Sequence, residues 1–130
     1  MPPVDLNSDI HARLAAAEAA LHAVGQQLSP AIRHVDIAVL IPCYNEAKNL
    51  ERGVLDEVYQ YLAQQDYAWE VVIVNDESTD DSASLVRRFI AGKERLALFD
   101  IPHGGKPAAI WAGIQQARGD VVLFTDMDQS

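Results

Sequence analysis

One cysteine, Cys43, stands among the 130 residues, which excludes an intramolecular disulfide and any zinc site built on paired thiolates. Cations are scarce as well. Lys and Arg total 10 against 19 Asp and Glu, a formal charge of -9, so the field of the chain repels a polyphosphate backbone and argues against nucleic acid as a partner. No apolar run approaches the ~20 residues that cross a bilayer, and the N-terminus lacks a basic stretch followed by an apolar one. A cytoplasmic protein is expected, to which the lone thiol adds. Neither G-x-G-x-x-G nor G-x-x-x-x-G-K-[ST] occurs, so nicotinamide dinucleotides and P-loop chemistry lose their usual supports.

What the chain does have is apolar patterning, at 49% hydrophobic residues, enough for one compact domain. Residues 1–34 read as an N-terminal extension. In it, Ser8 suits an N-cap, and Ile10, Leu14, Ala17, Leu21, Val24 and Leu28 recur at spacings of four and three until Ser29-Pro30, which predicts an amphipathic helix over 8–28. Its stripe is expected to dock on the chain's own surface, with a short coiled-coil seam between copies as the alternative.

From Val35 the period changes. The runs VDIAVLI (35–41), EVVIVN (70–75), RLALFDI (95–101) and DVVLFTD (120–126) are rich in Val, Ile and Leu with little polar alternation, as in strands covered on both faces of a parallel sheet. Helical spacing fills the intervals at about 46–65, 80–91 and 107–117, the last opened by a proline in its first turn. The order β-α-β-α-β-α-β over 35–130 predicts an α/β, Rossmann-like unit: a mainly parallel four-stranded sheet flanked by helices. Such sheets bind ligands where loops leave the carboxyl ends of the strands.

Those loops hold the candidate residues. Asp126 and Asp128 follow the last strand, where two carboxylates one residue apart suit a hard divalent cation, Mg²⁺ or Mn²⁺, that bridges diphosphate oxygens; taken alone, the tripeptide is equally a solvated turn. Asp76, at the tip of the second strand, is placed to accept a hydrogen bond from a base N–H or a ribose hydroxyl. Gly104, Gly105 and Lys106 stand directly before a helix N-terminus, where amides and the helix dipole favour phosphate. Pro42 and Tyr44 offer a rigid backbone and an aromatic face for a flat base. Glu46 suits a ribose contact or the first turn of its own helix. Cys43 reads as a small buried filler, and Ser78 to Asp81 as helix-capping residues.

With these loops in view, the segments VLIPCYNEAKNLE, VVIVNDESTDDS, HGGKPAAIWAGIQQARGD and VVLFTDMDQS resemble, in order and approximate spacing, the nucleotide-binding half of a family 2 glycosyltransferase of the GT-A fold. The HGGK loop and the ending DMDQS are most similar to polyprenyl-phosphate hexosyltransferases, including dolichyl-phosphate glucose and mannose synthases. The resemblance implies a nucleoside-diphosphate sugar of the UDP-glucose or GDP-mannose type as donor and a polyprenyl phosphate as acceptor. Pro42, Tyr44, Glu46 and Asp76 would surround the nucleoside. Lys106 would lie near the donor phosphates with Gly104 and Gly105, and Asp126 with Asp128 would hold the metal and diphosphate.

Where the family usually has Asp-Asp-Gly-Ser, this chain has Asn75-Asp76-Glu77-Ser78, which predicts an altered turn. The family's common Gly-Lys-Gly becomes Gly105-Lys106-Pro107, and the usual arginine later in the helix of 107–117 is replaced by Trp111. Enzymes of the family continue well past the D-x-D motif, so 35–130 is expected to be the nucleotide-sugar-binding half of a longer domain, with no catalytic base within it and a peripheral place at the cytoplasmic face of a membrane.

Two other readings compete. A strand followed by D-x-D-x-S also resembles the first motif of haloacid-dehalogenase-type phosphatases, with Asp126 as nucleophile and Asp128 as acid, although it leaves the Tyr44 and Asp76 loops without a purpose. A non-catalytic binding or assembly module is the other, forming a homo-oligomer through the N-terminal helix or an exposed sheet edge.

Overall fold

A computed structural model describes residues 13–19 and 35–128. Residues 13–19 are helical (α1); the rest of the helix expected over 8–28 lies outside the described residues. Then follow β1 (Val35–Cys43), α2 (Ala47–Glu51), α3 (Val54–Ala63), β2 (Trp69–Asn75), α4 (Ser82–Ile90), β3 (Leu96–Asp100), α5 (Lys106–Gln116) and β4 (Gly119–Phe124).

The strands form one parallel sheet in the order β3-β2-β1-β4. Burial follows from that order. All of β2 is buried, and β1 is buried from Ile37 to Ile41, because both strands have neighbours on each side and helices above and below; these are the two longest Val-Ile-Leu runs. The sheet has two unequal faces. One carries the main core, in which Ile37, Val39, Ile41, Val71, Ile73 and Leu123 meet Val54, Leu55, Leu62 and Val86 of the helices, with Leu14 and Ala17 of α1 in the same cluster. Each such side chain contributes about 1.5–3 kcal/mol by leaving water. The other face is covered by α5 and has a small cluster of Val72, Val74 and Ala109. There Gly113 lets the helix come close, for a Cβ on it would lie 2.3 Å from Leu40 Cδ1.

The helix expected over 46–65 is two helices. Arg52 and Gly53 close α2 by donating their amides to Lys48 and Leu50 carbonyls, and Gly53 turns the chain at φ 87, a left-handed conformation that glycine adopts without cost to a side chain. The step from β1 and β2 on one side to β4 on the other puts the reversal of strand order beside β1, which is where ligands sit in open α/β sheets.

Candidate functional site

The loops after β1 and β2 are laced together by side chains. Asn45 sits at φ 52, a region that Asn tolerates better than most residues. Its Oδ1 accepts from the Thr79 amide at 2.8 Å and the Thr79 hydroxyl at 3.3 Å, while its own amide donates to Ser78 Oγ at 3.0 Å. The Glu46 amide donates to Ser82 Oγ at 2.8 Å and the Ala47 amide to Asp80 Oδ2 at 3.3 Å. Asp80 also accepts the Ser82 amide, at 2.9 Å, and the Ser82 hydroxyl. Desolvation works to raise the Asp80 carboxyl, but the bonds from Ser82 and Ala47 outweigh it and hold the group below the usual carboxylate range.

Asp76 is 2% exposed. Its carboxylate accepts the Gly104 amide at 2.8 Å and the Gly105 amide at 2.9 Å, and His103 Nδ1 lies 3.0 Å from Oδ2. The same Nδ1 is 3.3 Å from the Asp76 carbonyl. Both neighbours are acceptors, so the imidazole carries its proton on Nδ1. The His103 ring lies 4.7 Å from that of Tyr44, tilted by 34°, so an aromatic ledge runs from β1 to the glycine loop. Glu77 keeps the left-handed backbone that a glycine would favour, at φ 55, and its Oε1 accepts the His103 amide at 3.2 Å. The missing glycine does not abolish that conformation.

Across the cleft, β4 ends at Phe124. Met127 is 1% exposed and turns inward, while Asp126 and Asp128 on either side of it reach the cleft. Lys106 Nζ pairs with Asp126 Oδ1 at 2.5 Å, with both side chains about half exposed. Pro42, Cys43, Tyr44, Glu46, Asp76 and Lys106, together with Asp126, Asp128 and the buried Ala109 and Met127, line one cleft of about 180 Å³. That volume is below the ~300–1,000 Å³ of sites that enclose a small molecule, so a ligand of that size would lie partly across its mouth.

Every side chain singled out for nucleotide or metal is thus in one place. Gly104 and Gly105 are beside it, but their amides turn inward to Asp76 rather than outward to a phosphate. Glu46 accepts from Asn49 Nδ2 at 2.7 Å. Burial pushes the Cys43 thiol up to about 11, so it stays protonated and acts as packing. Sequence reasoning missed the work of Asn45 and of the His103 imidazole. An Asn flanked by a strand end and a helix start was a signal for the first; the second was marked only by its place in the loop before α5, and its partner Asp76 lies 27 residues earlier in the chain. For a metal, the donor set is two hard carboxylates at the cleft rim, which suits Mg²⁺ or Mn²⁺ completed by phosphate and water. No group of three or more His, Cys, Asp or Glu able to hold an ion occurs among the described residues.

Comparison with known proteins bears on all four loops. The family model described as "Glycosyl transferase family 2" matches residues 38–130. A dolichyl-phosphate beta-glucosyltransferase of Trichomonas vaginalis is 40% identical over 100 residues, covering 72% of this chain and 30% of the relative. An undecaprenyl-phosphate 4-deoxy-4-formamido-L-arabinose transferase of Pseudomonas fluorescens is 36% identical over 94 residues, covering 71% and 27%. The chain thus spans less than a third of the length of these relatives. Among solved structures, a mannosyltransferase of Pyrobaculum calidifontis in complex with GDP-Man and Mn²⁺ superposes with a TM-score of 0.58 at 30% identity, over 88% of this chain and 36% of that one. The S. aureus protein TarS (residues 1–349) in complex with UDP gives 0.58 at 31% identity, over 72% and 28%.

Proposed function

This chain belongs to glycosyltransferase family 2, and from that premise we propose that it forms the nucleotide-sugar-binding half of a hexosyltransferase whose acceptor is a polyprenyl phosphate. The observation that carries the reading is the convergence of Pro42, Tyr44, Glu46, Asp76, Lys106, Asp126 and Asp128 from four strand ends onto one cleft. The family match takes all four loops together, where the phosphatase reading used the last alone. The acceptor follows the two polyprenyl-phosphate relatives, and a donor with uridine or guanosine follows the solved neighbours.

In this reading the Tyr44 ring and Pro42 pack on the base, Glu46 and Asp76 face the nucleoside, and Asp126 with Asp128 holds a divalent cation against the diphosphate. Such a cation, when bound, neutralises charge on the departing nucleotide. The chain's own contribution is alignment: a loop fixed by Asp76 sets the height of Lys106, and the rigid β1 and β2 loops set the nucleoside. A lipid-phosphate nucleophile is already anionic, so inversion at the sugar requires no base from these residues. No helix among the described residues is long and apolar enough to cross a membrane; peripheral attachment at the cytoplasmic face of a membrane is part of the proposal, through the acceptor. Self-association is a separate proposal: Leu14 and Ala17 are buried in the core, so pairing at an exposed sheet edge is favoured over a helical seam, and light scattering reads it.

Calorimetric titration of UDP, GDP and AMP, with Mn²⁺ or with EDTA, tests the donor site. The expected result is Mn²⁺-dependent binding of UDP or GDP that weakens at least tenfold in Asp128→Ala. Binding of AMP equal to both, or binding indifferent to Mn²⁺ and to Asp128, overturns it. The isolated 130 residues are expected to bind nucleotide and to turn over little; efficient glycosyl transfer by them refutes that second part.

A further inference from the structure

Among the described residues that line it, the cleft holds Glu46, Asp76, Asp126 and Asp128 against one ammonium, that of Lys106. A diphosphate entering it meets more negative charge than positive. The glycine amides that precede α5 are bonded to Asp76, and Pro107 has no N–H to offer. Phosphate recognition at this end of the cleft therefore falls chiefly to the Lys106 side chain. Yet that side chain is on Asp126.

We propose that Lys106 is the displaceable counter-ion of Asp126: it neutralises this carboxylate while the cleft is empty of cation, yields it to a divalent cation, and transfers its ammonium to the donor's diphosphate. The inference rests on the donor-site reading above and goes beyond it. The geometry allows the exchange. The base of Lys106 is fixed, because it opens α5 directly after Gly105, whose backbone at φ 86 is held by Asp76. Its head is free to move, because the ammonium rides on a flexible four-carbon stem and the side chain is 50% exposed. An arriving divalent cation and an ammonium cannot share Asp126 without like-charge repulsion at a few ångströms, which at the rim of a protein costs enough to decide occupancy. Metal and lysine thus compete for Asp126, while metal and phosphate together recruit the lysine.

The two halves make predictions of opposite sign for one substitution. In Lys106→Met, Mn²⁺ alone should bind about five- to tenfold more tightly at low salt, because its competitor is gone. In the same variant, UDP or GDP with saturating Mn²⁺ should bind at least about tenfold more weakly, because a charge-assisted phosphate contact is gone. Lys106→Arg, which keeps the charge, should return the Mn²⁺ affinity close to that of the unaltered chain. Free Mn²⁺ is read by its electron paramagnetic resonance signal, nucleotide by calorimetry, and folding of each variant by its circular dichroism melt.

A merely structural lysine would weaken both ligands or neither. Unchanged or weaker Mn²⁺ binding in Lys106→Met overturns the counter-ion role and leaves the donor reading intact. A tighter Mn²⁺ site with no nucleotide binding in any form overturns the donor reading and leaves the displacement standing. Mn²⁺ bound by neither the unaltered chain nor Lys106→Met overturns the inference and the metal site together.

Discussion

The two flanks of the cleft are built differently. On the β1–β2 flank, side chains of one loop bind backbone amides of the next: Asn45 with Thr79 and Ser78, Asp80 with Ala47, Asp76 with Gly104 and Gly105. On the β4 flank, Lys106 and Asp126 meet as two half-exposed, oppositely charged groups. Directional bonds to amides fix a shape and tolerate little exchange, which suits a neutral, flat ligand portion such as a nucleoside. An exposed ion pair fixes little and is readily replaced by other charges, which suits a diphosphate and its cation. On the proposed reading, rigidity is placed where the ligand is constant in charge, and adaptability where charge must be rearranged.

Substitutions that abolish this difference should be graded in effect. Asp76→Ala removes the acceptor for two loop amides and for His103, and should cost about 3 kcal/mol in urea unfolding, with loss of nucleotide binding in calorimetry. Gly113→Ala forces a methyl against Leu40 and should cost about 2 kcal/mol, with the shift of α5 weakening nucleotide binding from a position that touches no ligand. Asp80→Ala unties α2 from the start of α4 and should cost about 1 kcal/mol near neutral pH. The folded Asp80 carboxyl lies below its usual range, so its stabilisation is present above the unfolded value of about 4 and is lost as pH falls through the folded one. Unfolding curves of Asp80→Ala and the unaltered chain should therefore converge in acid; a gap that persists would show that charge is not what Asp80 supplies. Lys106→Met should change stability by less than about 0.5 kcal/mol, since both partners face water. A large loss there would place the ion pair among the rigid ties and erase the contrast between the flanks.

Much of this was legible in the residues. β2 and β4 read as strands because buried parallel strands are nearly continuous Val-Ile-Leu runs, and α5 because Pro107 marks its first turn. The D-x-D placement was legible because the tripeptide follows directly on the apolar run of β4, at the carboxyl end of the sheet. The break between α2 and α3 was obscured because Leu50, Val54, Val58 and Leu62 keep a helical period across Gly53. The inward turn of the Gly104 and Gly105 amides was not legible either, because it depends on Asp76, 28 residues earlier in the chain for Gly104. Charges in sequence show what a loop can attract, not which partner inside the fold already holds it.

Arg13 sits far from the cleft in sequence, yet its guanidinium donates to the carbonyl of Phe124, the last residue of β4. The next residue, Thr125, gives its amide to Leu40 on β1, so by the alternation of a strand the Phe124 carbonyl points the other way, outward from the sheet. Among the described residues no strand pairs with that outer side. An unpaired carbonyl at a strand's end is an invitation for a foreign strand to add itself and for sheets to grow from molecule to molecule. A cation already seated there, its flat group also lying 5.4 Å over the Phe124 ring, is a stopper at the growing end. Removing it should show first as turbidity in a warm, concentrated solution, with the nucleotide cleft still intact.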